Sequence, residues 1–129
     1  MNLYGVGVDL VEIARIAQAV ARHGDGFAAR ILCAAEMEAY RAHRQKAAFL
    51  AKRFAAKEAV VKALGVGIGA QLGLRDINIT HEAAGRPLVE FNARGRDLCE
   101  RLGVGRVHVS ISDERRYANA FAVAERGAI

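Results

Sequence analysis

Phe49-Leu50-Ala51-Lys52-Arg53-Phe54-Ala55-Ala56-Lys57-Glu58-Ala59-Val60-Val61-Lys62-Ala63-Leu64 is the stretch that organises the reading of this 129-residue chain. On a wheel of about 100° per residue, Phe49, Leu50, Phe54, Val60, Val61 and Leu64 gather on one broad arc, the pattern of a core-facing helix. The spacing predicts a helix over 47–64, closed by Gly65. Two cations, Arg53 and Lys57, stand four residues apart inside that arc, while the opposite side is mostly alanine: Ala51, Ala55, Ala59 and Ala63. Long cationic stems can lie over apolar surface with their heads in water, or both heads can reach a phosphate held beside the helix. Glu58 and Lys62, at the edge of the arc, have the i,i+4 spacing of an exposed ion pair, which contributes only about 0.3 to 0.5 kcal/mol.

Charge is concentrated around this helix. Between Tyr40 and Leu64 there are seven cations (Arg41, Arg44, Lys46, Lys52, Arg53, Lys57, Lys62) against the single anion Glu58, an excess larger than the formal +5 of the whole chain. A helix-sized basic segment enclosing one carboxylate reads as a pocket for a phosphate-rich ligand more than as a polyanion track. With 53% hydrophobic residues the chain carries enough apolar surface for one core. Cys33 and Cys99 lie far apart with no metal-type spacing, so reduced thiols in a cytoplasmic protein are the plain reading. No export signal opens the chain, and charges interrupt every apolar run before the roughly 18 residues a membrane span requires.

Towards the N-terminus, Leu3 to Leu10 alternates, with Tyr4, Val6, Val8 and Leu10 on one face and glycines opposite. This predicts a strand whose glycine side admits close packing. Ile13, Ile16, Ala17 and Val20 recur at helical spacing over 11–22, so the strand is expected to run into a helix at Asp9. Asp9 and Glu12 then fit an N-cap and its N3 acid, a reading the local pattern favours over a metal-binding role for Asp9. Towards the C-terminus, helical pattern covers 27–44 with a break near Cys33. Strands are expected at 74–80 and 87–91, joined around Ala84-Gly85-Arg86, then a helix at 93–102 ending at Gly103. Val107, Val109 and Ile111 alternate with His108, Ser110 and Ser112, and 117–124 is a partner strand across the Asp113-Glu114-Arg115-Arg116 turn. His108 fits a structural strand position. The sum is a single α+β domain over 1–129, a small antiparallel sheet packed against a long helix.

Two segments taken together carry a resemblance. Val6-Gly7-Val8-Asp9, followed by Phe54-Ala55-Ala56-Lys57-Glu58-Ala59-Val60-Val61-Lys62-Ala63, is similar to the paired signature of the phosphopantetheinyl transferases: an apolar-Gly-apolar-Asp strand end, then Phe-Ala-x-Lys-Glu-Ala-apolar-apolar-Lys. Similarity to the small, trimeric holo-acyl-carrier-protein synthase branch extends through Val11-Glu12-Ile13-Ala14-Arg15-Ile16, Gly65-Val66-Gly67-Ile68-Gly69, Gly85-Arg86-Pro87 and Val107 to Ser112. The resemblance implies transfer of 4′-phosphopantetheine from coenzyme A to a serine of an acidic apo-acyl carrier protein, releasing adenosine 3′,5′-bisphosphate, in cytoplasmic fatty-acid biosynthesis. It implies Mg2+ on Asp9 and Glu58, which suits a hard cation that takes one or two carboxylates and fills its shell with phosphate oxygens and water. Glu58 and Lys62 become the catalytic pair, with Lys62 on phosphoryl charge and Glu58 or a metal-bound water as base. Arg53, Lys57, Lys62, Arg44, Gly85, Arg86 and Pro87 become the coenzyme contacts. Arg15 and Arg22, seven apart on one face of the first helix, become the carrier-docking residues. A homotrimer with sites at subunit interfaces is also implied. Asp113 stands where some relatives carry histidine, and no phosphate-binding role is carried onto it.

Two other classes compete. A nucleic-acid-binding module would use the positive charge, but 6% aromatic content, no tryptophan and the Asp9/Glu58 pair argue against it. A non-catalytic metabolite-binding protein would bind coenzyme A and leave an apo-carrier unchanged. Neither nucleic acid nor membrane is expected as a partner.

Overall fold

The first strand, β1 (Leu3–Glu12), has glycines on one side and bulky apolar groups on the other, and this asymmetry decides how the molecule packs. The computed structural model describes residues 2–128. Gly5 and Gly7 face the long central helix α4 (Lys46–Leu64), where an added Cβ would overlap the carbonyl oxygens of Ala63 and Ala59 respectively. Helix and strand therefore meet backbone to backbone, which only glycine on the strand and alanine on the helix permit.

Chain order continues with α1 (Ile13–His23), α2 (Asp25–Ile31), α3 (Ala34–Ala42) and α4. A single 3₁₀ turn (Leu74–Asp76) precedes β2 (Ile77–His81) and β3 (Pro87–Phe91), and α5 (Ala93–Leu102) leads into β4 (Val104–Asp113) and β5 (Tyr117–Arg126). The main sheet is antiparallel in the order β1-β5-β4, and β2-β3 forms a separate antiparallel pair. Residues Ala118, Ala120, Ala122 and Ala124 of β5 are fully buried against α4, as are Ala51, Ala55 and Ala59 on the helix. The alanine side of α4 is thus its most tightly packed face, and the Phe and Val arc fills the other side. Buried nearly all round, α4 is a central helix rather than one with a wet face.

Local signals mark the element ends. Gly65 and Gly103 close α4 and α5 in the left-handed region, at φ 73° and 77°. The Asn92 side chain caps α5 by accepting the Gly95 N–H at 3.0 Å. Leu32 and Cys33 separate α2 from α3, at the expected break.

One expectation fails. Asp9 is not a helix cap, because β1 does not stop there: Leu10, Val11 and Glu12 stay paired with Asn119, Ala118 and Tyr117 of β5, and α1 begins at Ile13. Cross-strand pairing extends the strand by three residues past the point where the local capping pattern would end it.

Candidate active site

With capping removed, Asp9 is a strand residue whose carboxylate turns towards α4. Its Oδ1 accepts a hydrogen bond from the Lys62 Nζ at 3.1 Å, and the same ammonium donates to the Val8 carbonyl at 2.9 Å. Lys62 thus ties itself to the strand end rather than forming the surface pair with Glu58 that the i,i+4 spacing suggests. Asp9 and Glu58 open on one cavity of about 500 Å³, walled by Leu10, Phe54 and Tyr117 and rimmed by Glu12 and Arg15. Burial, and then the Asp9 charge, raise the Glu58 pKa, while Lys62 opposes the shift. Two carboxylates facing one cavity, with the Asp9 charge disfavouring that of Glu58, form a donor set suited to a hard cation. Among the described residues no group of three or more His, Cys, Asp or Glu side chains is arranged for a metal, so such a cation would draw the rest of its shell from ligand oxygens and water.

Arg15 lies on the rim of this cavity, with its Nε 3.6 Å from the Glu12 carboxylate and its side chain 83% exposed. Arg22, in the last turn of α1, is exposed and lies outside the cavity.

A second cavity, of about 340 Å³, lies across α4 and is lined by Phe49, Lys52, Arg53, His81, Gly85 and Pro87, with Asp113 at its edge. The two cavities have no lining residue in common. The Arg53 guanidinium stacks on Phe49, 4.4 Å from the ring centroid. Lys52 is 4.0 Å from Asp113. Burial, then Arg53 and Lys52, lower the His81 pKa and favour its neutral imidazole. Arg86 does not join this cavity; it turns to Glu82 at 3.4 Å and lines a neighbouring recess. Arg44 is exposed in the connection before α4.

Lys57 requires a correction. Expected to reach a coenzyme phosphate, it is fully buried on the far side of α4. Its Nζ donates to Glu36 Oε1 at 2.5 Å and to the Ile31 carbonyl at 2.8 Å. A lysine inside the core needs its charge matched and its donors filled by the protein itself, and here both are. Glu36, which sequence reasoning passed over, is 2% exposed. Its only local signal is its place at the third position of α3, where it accepts the Cys33 N–H at 3.0 Å.

His108 stands exposed on the outer face of the main sheet against Glu125, consistent with a structural position. Both cysteines are free, and burial pushes the Cys99 thiol up to about 11, leaving it inert at neutral pH.

Comparison with known proteins fits this arrangement. A model of the 4′-phosphopantetheinyl transferase superfamily matches residues 5–122. The holo-[acyl-carrier-protein] synthase of Vibrio cholerae is 45% identical over 124 residues, covering 96% of this chain and 98% of that protein. The crystal structure of the Neisseria meningitidis holo-[acyl-carrier-protein] synthase superposes with a TM-score of 0.92 at 40% identity, covering 96% of this chain and 99% of that one. That of the Helicobacter pylori enzyme, solved in complex with coenzyme A, gives a TM-score of 0.82 at 32% identity, covering 93% and 99%. The signature pair that brings Asp9 and Glu58 to one cavity lies inside the matched region, and this chain belongs to the 4′-phosphopantetheinyl transferase superfamily.

Proposed function

We propose that this chain transfers 4′-phosphopantetheine from coenzyme A to a serine of an apo-acyl carrier protein, releasing adenosine 3′,5′-bisphosphate, with Mg2+ held by Asp9 and Glu58. The name holo-[acyl-carrier-protein] synthase, shared by relatives that match it over nearly their whole length, supports the reaction. The observation that carries the residue roles is the cavity onto which both carboxylates open. When bound there, Mg2+ would offset the charge of the coenzyme pyrophosphate and polarise the phosphorus under attack.

The side chains around it have separable tasks. Lys62, bonded to Asp9 and half-exposed, is placed to neutralise charge on the phosphoryl group. Glu58 faces the same cavity and is one candidate to accept the serine proton, with a water held by the cation as the other. Arg53, with Gly85 and Pro87 beside it, suits the coenzyme's phosphates and adenosine end. Arg44 and Arg86, outside that cavity, are carried over from the resemblance as outer contacts, and Lys57, buried against Glu36, is not among the contacts. Arg15, on the rim of the carboxylate cavity, suits an acidic carrier protein docking over it, with Arg22 extending the same face.

The homotrimer implied by the resemblance is supported by the outer face of the main sheet. Val6, Val8 and Leu10 are 51%, 53% and 62% exposed, and Phe121, paired with Val8, is 46% exposed. A strip of apolar side chains across paired strands suits burial against other copies of the chain. Two cavities that share no lining residue suit a coenzyme site assembled between copies. No helix among the described residues is long and apolar enough to cross a membrane. Cytoplasmic fatty-acid biosynthesis is carried over from the resemblance. Incubation with coenzyme A, Mg2+ and an apo-acyl carrier protein should make the carrier heavier by one phosphopantetheine group in intact-mass spectrometry. An unchanged carrier mass, despite coenzyme binding, would instead favour the non-catalytic reading.

A further inference from the structure

The buried carboxylate of Glu36 collects four donors, two from α4, one from β2 and one from the turn before α3. Its Oε1 accepts from Lys57 Nζ at 2.5 Å and the Cys33 N–H at 3.0 Å; its Oε2 accepts from Arg53 Nη1 at 3.1 Å and the Ile79 N–H at 3.0 Å. Four acceptances exhaust a carboxylate, so Glu36 is an interior anchor with nothing left to offer a ligand. Lys57 alone would balance its charge. Arg53 brings a second cation to the same carboxylate, leaving the trio one positive charge in excess, and that excess emerges at the cavity shared with His81, Gly85 and Pro87.

Arg53 is held on two sides. Glu36 fixes one nitrogen of the guanidinium, and the Phe49 ring fixes its face at 4.4 Å. One of its five N–H donors is engaged by Glu36, and the others are free of protein partners among the hydrogen bonds of the described residues. The planar fork is therefore oriented before any ligand arrives, the condition under which a charged contact binds with little loss of side-chain freedom.

Resting on the functional reading above, we infer that Glu36 is a positioning residue for coenzyme recognition: it aims the free edge of the Arg53 guanidinium into the second cavity, where it receives a phosphate of coenzyme A. Glu36 itself touches no substrate. Its loss should weaken coenzyme recognition while leaving the carrier protein's own binding unchanged.

The test compares wild type, Glu36→Gln, the double variant Glu36→Gln/Lys57→Met, and Leu98→Ala, a core truncation on α5 outside both cavities. Binding of adenosine 3′,5′-bisphosphate is measured by calorimetry, and transfer kinetics by varying coenzyme A and apo-carrier in turn. Glu36→Gln should raise the Kd for adenosine bisphosphate and the KM for coenzyme A on the order of tenfold, with the carrier KM unchanged. The double variant removes the unpaired buried ammonium, so its melting temperature should recover towards wild type while the coenzyme defect persists. Leu98→Ala should melt earlier and keep wild-type coenzyme constants. Wild-type adenosine bisphosphate affinity in Glu36→Gln, or in the double variant should the single one fail to fold, would overturn the inference. So would a coenzyme KM in Leu98→Ala raised as far as in Glu36→Gln, because instability alone would then explain the defect. A wild-type protein that neither binds adenosine bisphosphate nor transfers would overturn the functional reading first, which separates the two failures.

Discussion

Lys57 and Glu58 are neighbours in the chain and have opposite environments. Lys57 points into the core, fully buried, with Glu36 and the Ile31 carbonyl filling its donors. Glu58 points to a cavity, with no ion-pair partner among the described residues and a pKa raised by burial and by Asp9. A helix turns about 100° per residue, so two adjacent ionic side chains cannot share a face. The consequence is a division of labour: Lys57 supports the fold, and Glu58 is left with a charge that only a cation or a proton can satisfy.

The sharpest way to break that comparison is to remove the carboxylates. Asp9→Ala and Glu58→Ala should each lower turnover roughly 10³-fold, about 4 kcal/mol of transition-state stabilisation, with the melting temperature close to wild type. Steady-state transfer assays beside thermal melts would show it. Lys57→Ala should do the reverse. It leaves Glu36 buried with only Arg53 to pair, and denaturant unfolding should register a loss of about 3 kcal/mol, the low end for a broken buried pair because one cation remains.

Acid should weaken the same clamp. Burial alone would raise the Glu36 pKa, but the Lys57 charge and the hydrogen bonds from Lys57, Ile79 and Cys33 outweigh it and hold it below its ordinary value of 4.5. A carboxyl depressed in the folded state contributes stability above its unfolded pKa, and that contribution is lost as pH falls through the folded one. Unfolding free energy should therefore decline as pH drops below about 4.5, and less so in the Glu36→Gln/Lys57→Met variant. Gly7→Ala sharpens the structural side: its Cβ meets the Ala59 carbonyl, so α4 must shift from β1 at a cost of about 2 kcal/mol, seen as a lower urea midpoint. The smallest effect is expected at the rim, where Arg15→Ala should raise the carrier-protein KM about threefold and leave the coenzyme KM unchanged.

Local signals made much of this legible from sequence. The limits of α4, its Gly65 stop, the α5 stop at Gly103 and the β4–β5 hairpin all rest on chemistry within a few residues, and the structure matches them closely. The glycine side of β1 was readable too, since bare backbone on one face of a strand implies close approach. What sequence pattern misled on was decided by distant partners. Asp9 has a cap's neighbours, but β5 lies more than a hundred residues away in the chain and keeps the strand paired through Glu12. The alanines of α4 resemble a bland outer side until the alanines of β5 and the glycines of β1 are brought against them. Lys57 sits on an apolar arc in either case, and whether its head reaches water or Glu36 depends on a contact 21 residues back. Glu36 announces itself only as an N3 acid; its bond to Ile79 spans 43 residues and leaves no periodic trace.

The proposed role of Glu58 lies in chemistry and not in the fold. Intact-mass spectrometry of an apo-acyl carrier protein treated with coenzyme A, Mg2+ and equal folded amounts of wild type or Glu58→Ala tests it most directly. The expected result is full conversion to the phosphopantetheinylated carrier by wild type and almost none by Glu58→Ala over the same interval. Conversion by Glu58→Ala at the wild-type rate would contradict it.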